Sequence, residues 1–118
     1  HPFVAANLVH LAILYQRSGE GNLADPIRDR VMRIWDKAFG SRDAWPMIES
    51  YEFSRLEALR GAREEALSGL TRCVASGYAE PGLGTLKEFA FLRGDPRFEK
   101  LVAEVRKRTS SSPQAPGS

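Results

Sequence analysis

The stretch Asn7-Leu8-Val9-His10-Leu11-Ala12-Ile13-Leu14-Tyr15, followed by Gly19, Ala24-Asp25-Pro26-Ile27 and Arg30-Val31, decides the fold. Leu8, Leu11, Ala12 and Tyr15 recur at i, i+3, i+4 and i+7, the spacing of one face of an α-helix. The helix runs from Pro2 to Ser18, where Gly19 and Gly21 stop it. A second apolar stripe, Ile27, Val31, Ile34 and Trp35, lies on the stretch from Leu23 to Phe39. Pro26 falls in its first turn, where a missing N–H costs little, and Gly40 closes it. Residues 2–39 therefore read as a helical hairpin.

The hairpin repeats. A shift of 42 positions places Leu11 on Phe53, Ala12 on Ser54, Gly19 on Gly61, Ala24 on Ala66 and Val31 on Cys73. A small residue at 12 and 54 lets two helices approach. Glycine at 19 and 61 turns the chain, and a second small residue at 24 and 66 faces the first. The second hairpin is expected over about 44–76. Asp43 is read as an N-cap and Pro46 as a first-turn residue of its leading helix, which runs to about Arg60. Its second helix, Ala62 to Ser76, opens on Glu64 and Glu65 at the positive end of the helix dipole.

Beyond Gly77 the pattern shortens. Residues 77–84 read as a loop. Thr85 and Glu88 have capping-box spacing ahead of a short helix with Phe89, Phe91 and Leu92. Asp95-Pro96 starts a last helix to about Arg108, with Phe98, Leu101, Val102 and Val105 inside. Residues 109–118 are rich in Ser, Pro and Gly and are expected to be disordered. No period-2 run of β-branched residues persists, so the expected class is all-α, one domain over residues 1–108.

The quoted motif resembles a tetratricopeptide repeat of the kinesin-light-chain type, and His1-Pro2 resembles the His-Pro that precedes such repeats. The second repeat departs from the pattern: Glu57 holds the signature tyrosine position, and Pro46 lies two residues closer to the small residue than Pro2 does. Leu92-Arg93-Gly94-Asp95-Pro96-Arg97-Phe98 with Leu101-Val102 resembles the closing segment of repeat arrays in large bacterial signalling proteins, among them serine/threonine kinases, nucleotide cyclases and transcriptional regulators. The resemblance implies an α-α superhelix, a right-handed solenoid of hairpins with a C-terminal capping helix. Its first helices would line a concave groove that binds a protein or peptide.

By that register the groove side of the first helix carries Val9, His10, Ile13 and Arg17, and that of the third carries Tyr51, Glu52 and Arg55. His10, Ile13, Arg17, Tyr51 and Arg55 are the candidate binding residues, because aromatic and Arg side chains dominate binding where they are desolvated. Packing against a neighbouring hairpin is the alternative for Val9 and Ile13. Trp35 and Trp45 flank the turn between repeats and are expected to bury the joint.

Composition narrows the function. Seventeen basic and fifteen acidic residues give a net charge of +2, with bases scattered among acids, so nucleic acid is not an expected partner. Arg106-Lys107-Arg108 suits the negative end of the last helix. No apolar run reaches the ~18 residues of a membrane span. The one cysteine, Cys73, forms no internal disulfide and suits a core position in a reducing, cytoplasmic setting. His10 lacks the i+4 partner of a metal site. Glu64 and Glu65 diverge by about 100° on their helix, and Gly82-Leu83-Gly84 lacks the strand and third glycine of a phosphate loop. No catalytic residue, cofactor or metal is expected, and a small helical enzyme is the reading argued against.

The chain starts without Met or a signal segment and is expected to be cut from a longer protein. About three repeats are normally needed for stability, so self-association is a second expectation, with a homodimer covering the face that an upstream repeat would cover.

Overall fold

The computed structural model describes residues 2–80 and 82–110, with side chains over 5–80 and 82–108. All regular structure among the described residues is helical: α1 (Pro2–Arg17), α2 (Gly21–Phe39), α3 (Met47–Leu59), α4 (Arg63–Ala75) and α5 (Pro96–Ser110), with short 3-10 segments at Arg42–Ala44, Leu83–Thr85 and Lys87–Leu92. The all-α class expected from the sequence holds.

α1 pairs with α2, and α3 with α4, through two equivalent turns. Gly19 and Gly61 sit at φ +78° and +77°, a conformation open to glycine at no steric cost. The next residue bonds back to close each helix, Glu20 N–H to Tyr15 O and Ala62 N–H to Glu57 O, both at 2.9 Å. Ala12, Ser54, Ala24 and Ala66 are all at most 1 % exposed. The period of 42 thus marks real structural equivalence. Gly69 lets α3 and α4 cross closely, since a Cβ there would lie 3.0 Å from Ser54 Cβ and 3.1 Å from Ser50 O.

The hairpins meet across a first apolar cluster in which Val9, Ile13, Val31 and Trp35 pack with Trp45, Phe53 and Leu56. Trp35 and Trp45 do bury the joint, edge to face at 5.2 Å between ring centres, and Trp45 meets Phe53 the same way at 5.5 Å. Arg42 lies over Trp45 and Phe53. Glu57, 42 positions after Tyr15, is wholly buried. Its carboxylate accepts from Arg28 Nη2 of α2 at 3.0 Å and from Arg60 Nη1 at 2.8 Å, tying α2 to α3.

A second cluster joins α4 to α5 through Leu70, Cys73 and Val74 against Phe89, Phe98, Val102 and Val105. Arg97 grips Glu64 at 2.8 and 2.9 Å, and Arg108 Nη1 donates to Val74 O at the end of α4 at 2.6 Å.

Several local expectations are corrected. α2 starts at Gly21, so Pro26 lies beyond its first turn. Asp43 belongs to the Arg42–Ala44 turn, and Pro46 holds the N-cap position of α3 with no side-chain cap. The short helix before Arg93 is present, with 3-10 geometry over Lys87–Leu92, but Thr85 makes no capping box: its hydroxyl donates to Gly82 O at 2.8 Å. Asp95 caps α5 as expected, accepting from the Arg97 N–H at 2.9 Å. α5 extends to Ser110, so residues 109–110 are helical, and the rest of the expected disordered tail lies outside the described residues.

Candidate protein-binding groove

The five candidate residues divide three ways. Ile13, 3 % exposed, and Val9, 1 % exposed, belong to the core between the hairpins, and Val9 also lines a cleft between α1 and α3. Arg17 and Arg55 converge from α1 and α3 on one carboxylate: Arg17 Nη2 and Arg55 Nε donate to Glu88 Oε2 at 3.0 and 2.8 Å. Burial alone would raise the pKa of Glu88. Hydrogen bonds from its own backbone and from Arg55, with the charges of Arg55 and Arg17, outweigh that and hold the carboxyl below the usual glutamate range. Tyr51 stacks on Tyr78 at 5.1 Å, and burial raises the pKa of its phenol. Only His10 is exposed and without such a commitment.

The repeat register explains this division. Val9 and Ile13 stand 42 positions before Tyr51 and Arg55, and each pair faces the next unit along the chain. In hairpin 1 that unit is hairpin 2. In hairpin 2 it is the C-terminal segment, which supplies Tyr78 and Glu88. A more open track lies one position further on, at the exposed Ala6 and His10 of α1 and at their equivalents in α3, the exposed Ile48 and the partly buried Glu52.

Along that track runs a groove in two parts. A cleft of about 170 Å³ between α1 and α3 is lined by Ala6, Val9, His10, Trp35, Ile48 and Glu52, with Glu49 at its edge. Ile48 and Glu52, one turn apart, form the ridge shared with a wider cleft of about 450 Å³, where Tyr51, Tyr78, Glu80 and Leu86 complete the wall. Ile48 is 60 % exposed, the most exposed large hydrophobic among the described residues. Glu52 is mostly buried: Oε1 lies 3.8 Å from Arg55 Nη1, and Oε2 has no hydrogen-bond partner among the described residues. Burial raises the pKa of Glu52 against the opposing charges of Arg55 and His10.

A broader depression lined by Gln16, Arg17, Leu59, Thr85, Leu86, Lys87 and Glu88 is less suited to recognition, because Arg17 and Glu88 already pair with each other. Cys73 is buried, its thiol pushed up to about 12 by burial, and is no nucleophile. Among the described residues no group of three or more His, Cys, Asp or Glu side chains could hold a metal ion, and no helix is long and apolar enough to cross a membrane.

Ile48 and Glu49 escaped the sequence reading, which took only His10 and Glu52 from this track. The signal was present in the 42-residue pairing of Ala6 with Ile48 and of His10 with Glu52. Comparison with protein-family models, curated proteins and solved structures gives no match.

Proposed function

We propose that this chain is a tetratricopeptide-type repeat scaffold of the kinesin-light-chain-like kind, which binds a peptide or partner domain in the groove along Ala6, His10, Ile48 and Glu52. The observation that carries the reading is Ile48, a large aliphatic side chain held exposed on a helix between two clefts, with polar groups at either hand. An apolar anchor with a few convergent polar groups is the usual make-up of a recognition surface. In this reading the hairpins build a right-handed superhelix, the Lys87–Leu92 segment and α5 cap it, and the module catalyses nothing. It serves as the C-terminal part of a cytoplasmic bacterial regulator and takes a protein rather than a nucleic acid or membrane as its partner.

Selection from a random peptide library, with recovered peptides titrated against wild type and Ile48→Asp, tests the reading. Peptides that bind wild type and lose at least tenfold on Ile48→Asp support it; binding indifferent to that change overturns it. The substitution suits the fold, since an acid in the first turn of α3 complements the helix dipole.

A specific observation also favours self-association. Leu11 and Leu14 of α1 are 39 % and 58 % exposed, whereas their equivalents Phe53 and Leu56 are 1 % and 2 % exposed, buried at the joint between hairpins. Hairpin 1 thus leaves uncovered the face that hairpin 2 covers.

A further inference from the structure

We infer that the groove selects a cationic segment, one that places a Lys or Arg against Glu52 and an adjoining aliphatic side chain in the cleft beside Ile48; this rests on the groove reading proposed above. Three observations lead there. First, the charge of the groove opposes that of the chain. The whole molecule is +2, yet Glu49, Glu52 and Glu80 all line the two clefts. The nearby guanidinium groups of Arg17 and Arg55 are held by Glu88.

Second, Glu52 is incompletely satisfied. Its Oε2 accepts no hydrogen bond among the described residues, and Arg55 Nη1 stays 3.8 Å from Oε1 while Nε serves Glu88. Oε2 is shut off from solvent, so a ligand meets Glu52 at the 17 % of its side chain left exposed, where a cation adds charge that Arg55 supplies only at long range. Third, the cleft between α1 and α3 is small. At about 170 Å³ it falls below the roughly 300–1,000 Å³ of small-molecule sites and suits a single side chain. Its walls of Ala6, Val9, Trp35 and Ile48 are apolar, so that side chain is aliphatic. The carboxylates are too dispersed to form a metal cluster. The neighbouring basic side chain then lays its stem along Ile48 and brings its head to Glu52.

The experiment is an NMR titration of the full chain with capped pentapeptides that alternate leucine with lysine, arginine, glutamine or glutamate. The lysine or arginine peptide is expected to shift the amides of residues 6–10 and 48–52. Binding falls about fivefold or more with the glutamine peptide and is lost with the glutamate one. Glu52→Gln, close in shape to the native side chain, lowers affinity for the basic peptides alone, and Ile48→Asp lowers it for basic and neutral peptides together. Equal binding of the glutamine and lysine peptides overturns the cationic preference and leaves the groove reading standing. Absence of shifts at 6–10 and 48–52 with all four peptides, from a chain whose spectrum is folded, overturns both.

Discussion

Glu57 shows how one substitution in a repeat is accommodated. A carboxylate at a wholly buried position is costly unless paired, and here it accepts from Arg28 of the preceding hairpin and from Arg60 of its own. Glu57→Ala removes the acceptor and leaves two guanidinium groups facing each other. The expected loss is about 3 kcal/mol, read as a lower urea midpoint. Asp95 makes the complementary case at the surface of α5. Hydrogen bonds from the Arg97 side chain and backbone, with Arg63, hold its carboxyl at about 2. A depressed acid stabilises the fold fully above its unfolded value of about 3.9 and loses that contribution as pH falls through the folded value. Wild type should therefore lose stability between about pH 4 and pH 2, and Asp95→Asn should show a shallower loss over that window in midpoints measured at successive pH values. The cap of Asp95 was legible in the sequence because Asp-Pro is a local signal. The role of Glu88 was not, since its partners Arg17 and Arg55 come from two other helices and no local spacing announces them.

At the scale of elements, the hairpins follow from one rule, small residues where helices cross and glycine where they turn, and that rule was readable as a period. What the period could not convey is which neighbour each face meets. Phe53 and Leu11 share a register position, yet one is buried against the first hairpin and the other is exposed. The same gap placed Ile13 in a groove when it lies in the core. Lys87–Leu92 reads as a short helix by the Thr85–Glu88 spacing; its 3-10 geometry comes with Phe89 and Leu92 pinned into the α4–α5 core and Glu88 held by two arginines. Gly69 gives the sharpest test of the crossing. Its counterpart Ile27 carries a full side chain, so nothing in the repeat demands glycine there. A Cβ at 69 nevertheless meets Ser54 Cβ, Phe53 Cδ2 and the Ser50 carbonyl at 3.0–3.1 Å. Gly69→Ala has the higher helix propensity and would stabilise an open helix. Because a backbone oxygen cannot move aside, the overpacking term wins. The expected result is a loss of about 2 kcal/mol in chemical denaturation, with the change confined to the α3–α4 pair in hydrogen exchange.

For the molecule as a whole, stability and assembly are linked through the face that hairpin 1 leaves open. Each hairpin buries its inner stripe on its own but covers its outer stripe only by stacking, as Phe53 and Leu56 do against Ile13 and Trp35. Leu11 and Leu14 carry the same stripe into water, with Leu23 also exposed at the start of α2. Two copies meeting through these leucines would give hairpin 1 the covering that hairpin 2 already has, at an angle set by symmetry rather than by the repeat. Light scattering over a concentration series decides the matter. If the chain self-associates through this face, wild type shows a mass that rises toward twice 13.1 kDa, and Leu11→Glu with Leu14→Glu holds it at 13.1 kDa throughout. Leu14 follows His10 by one turn on α1, on the stripe that also holds Ala6, so the open leucine face adjoins the groove. A wild-type mass fixed at 13.1 kDa would instead mean that the hairpins and cap are stable alone, and that the open leucines are tolerated as ordinary surface.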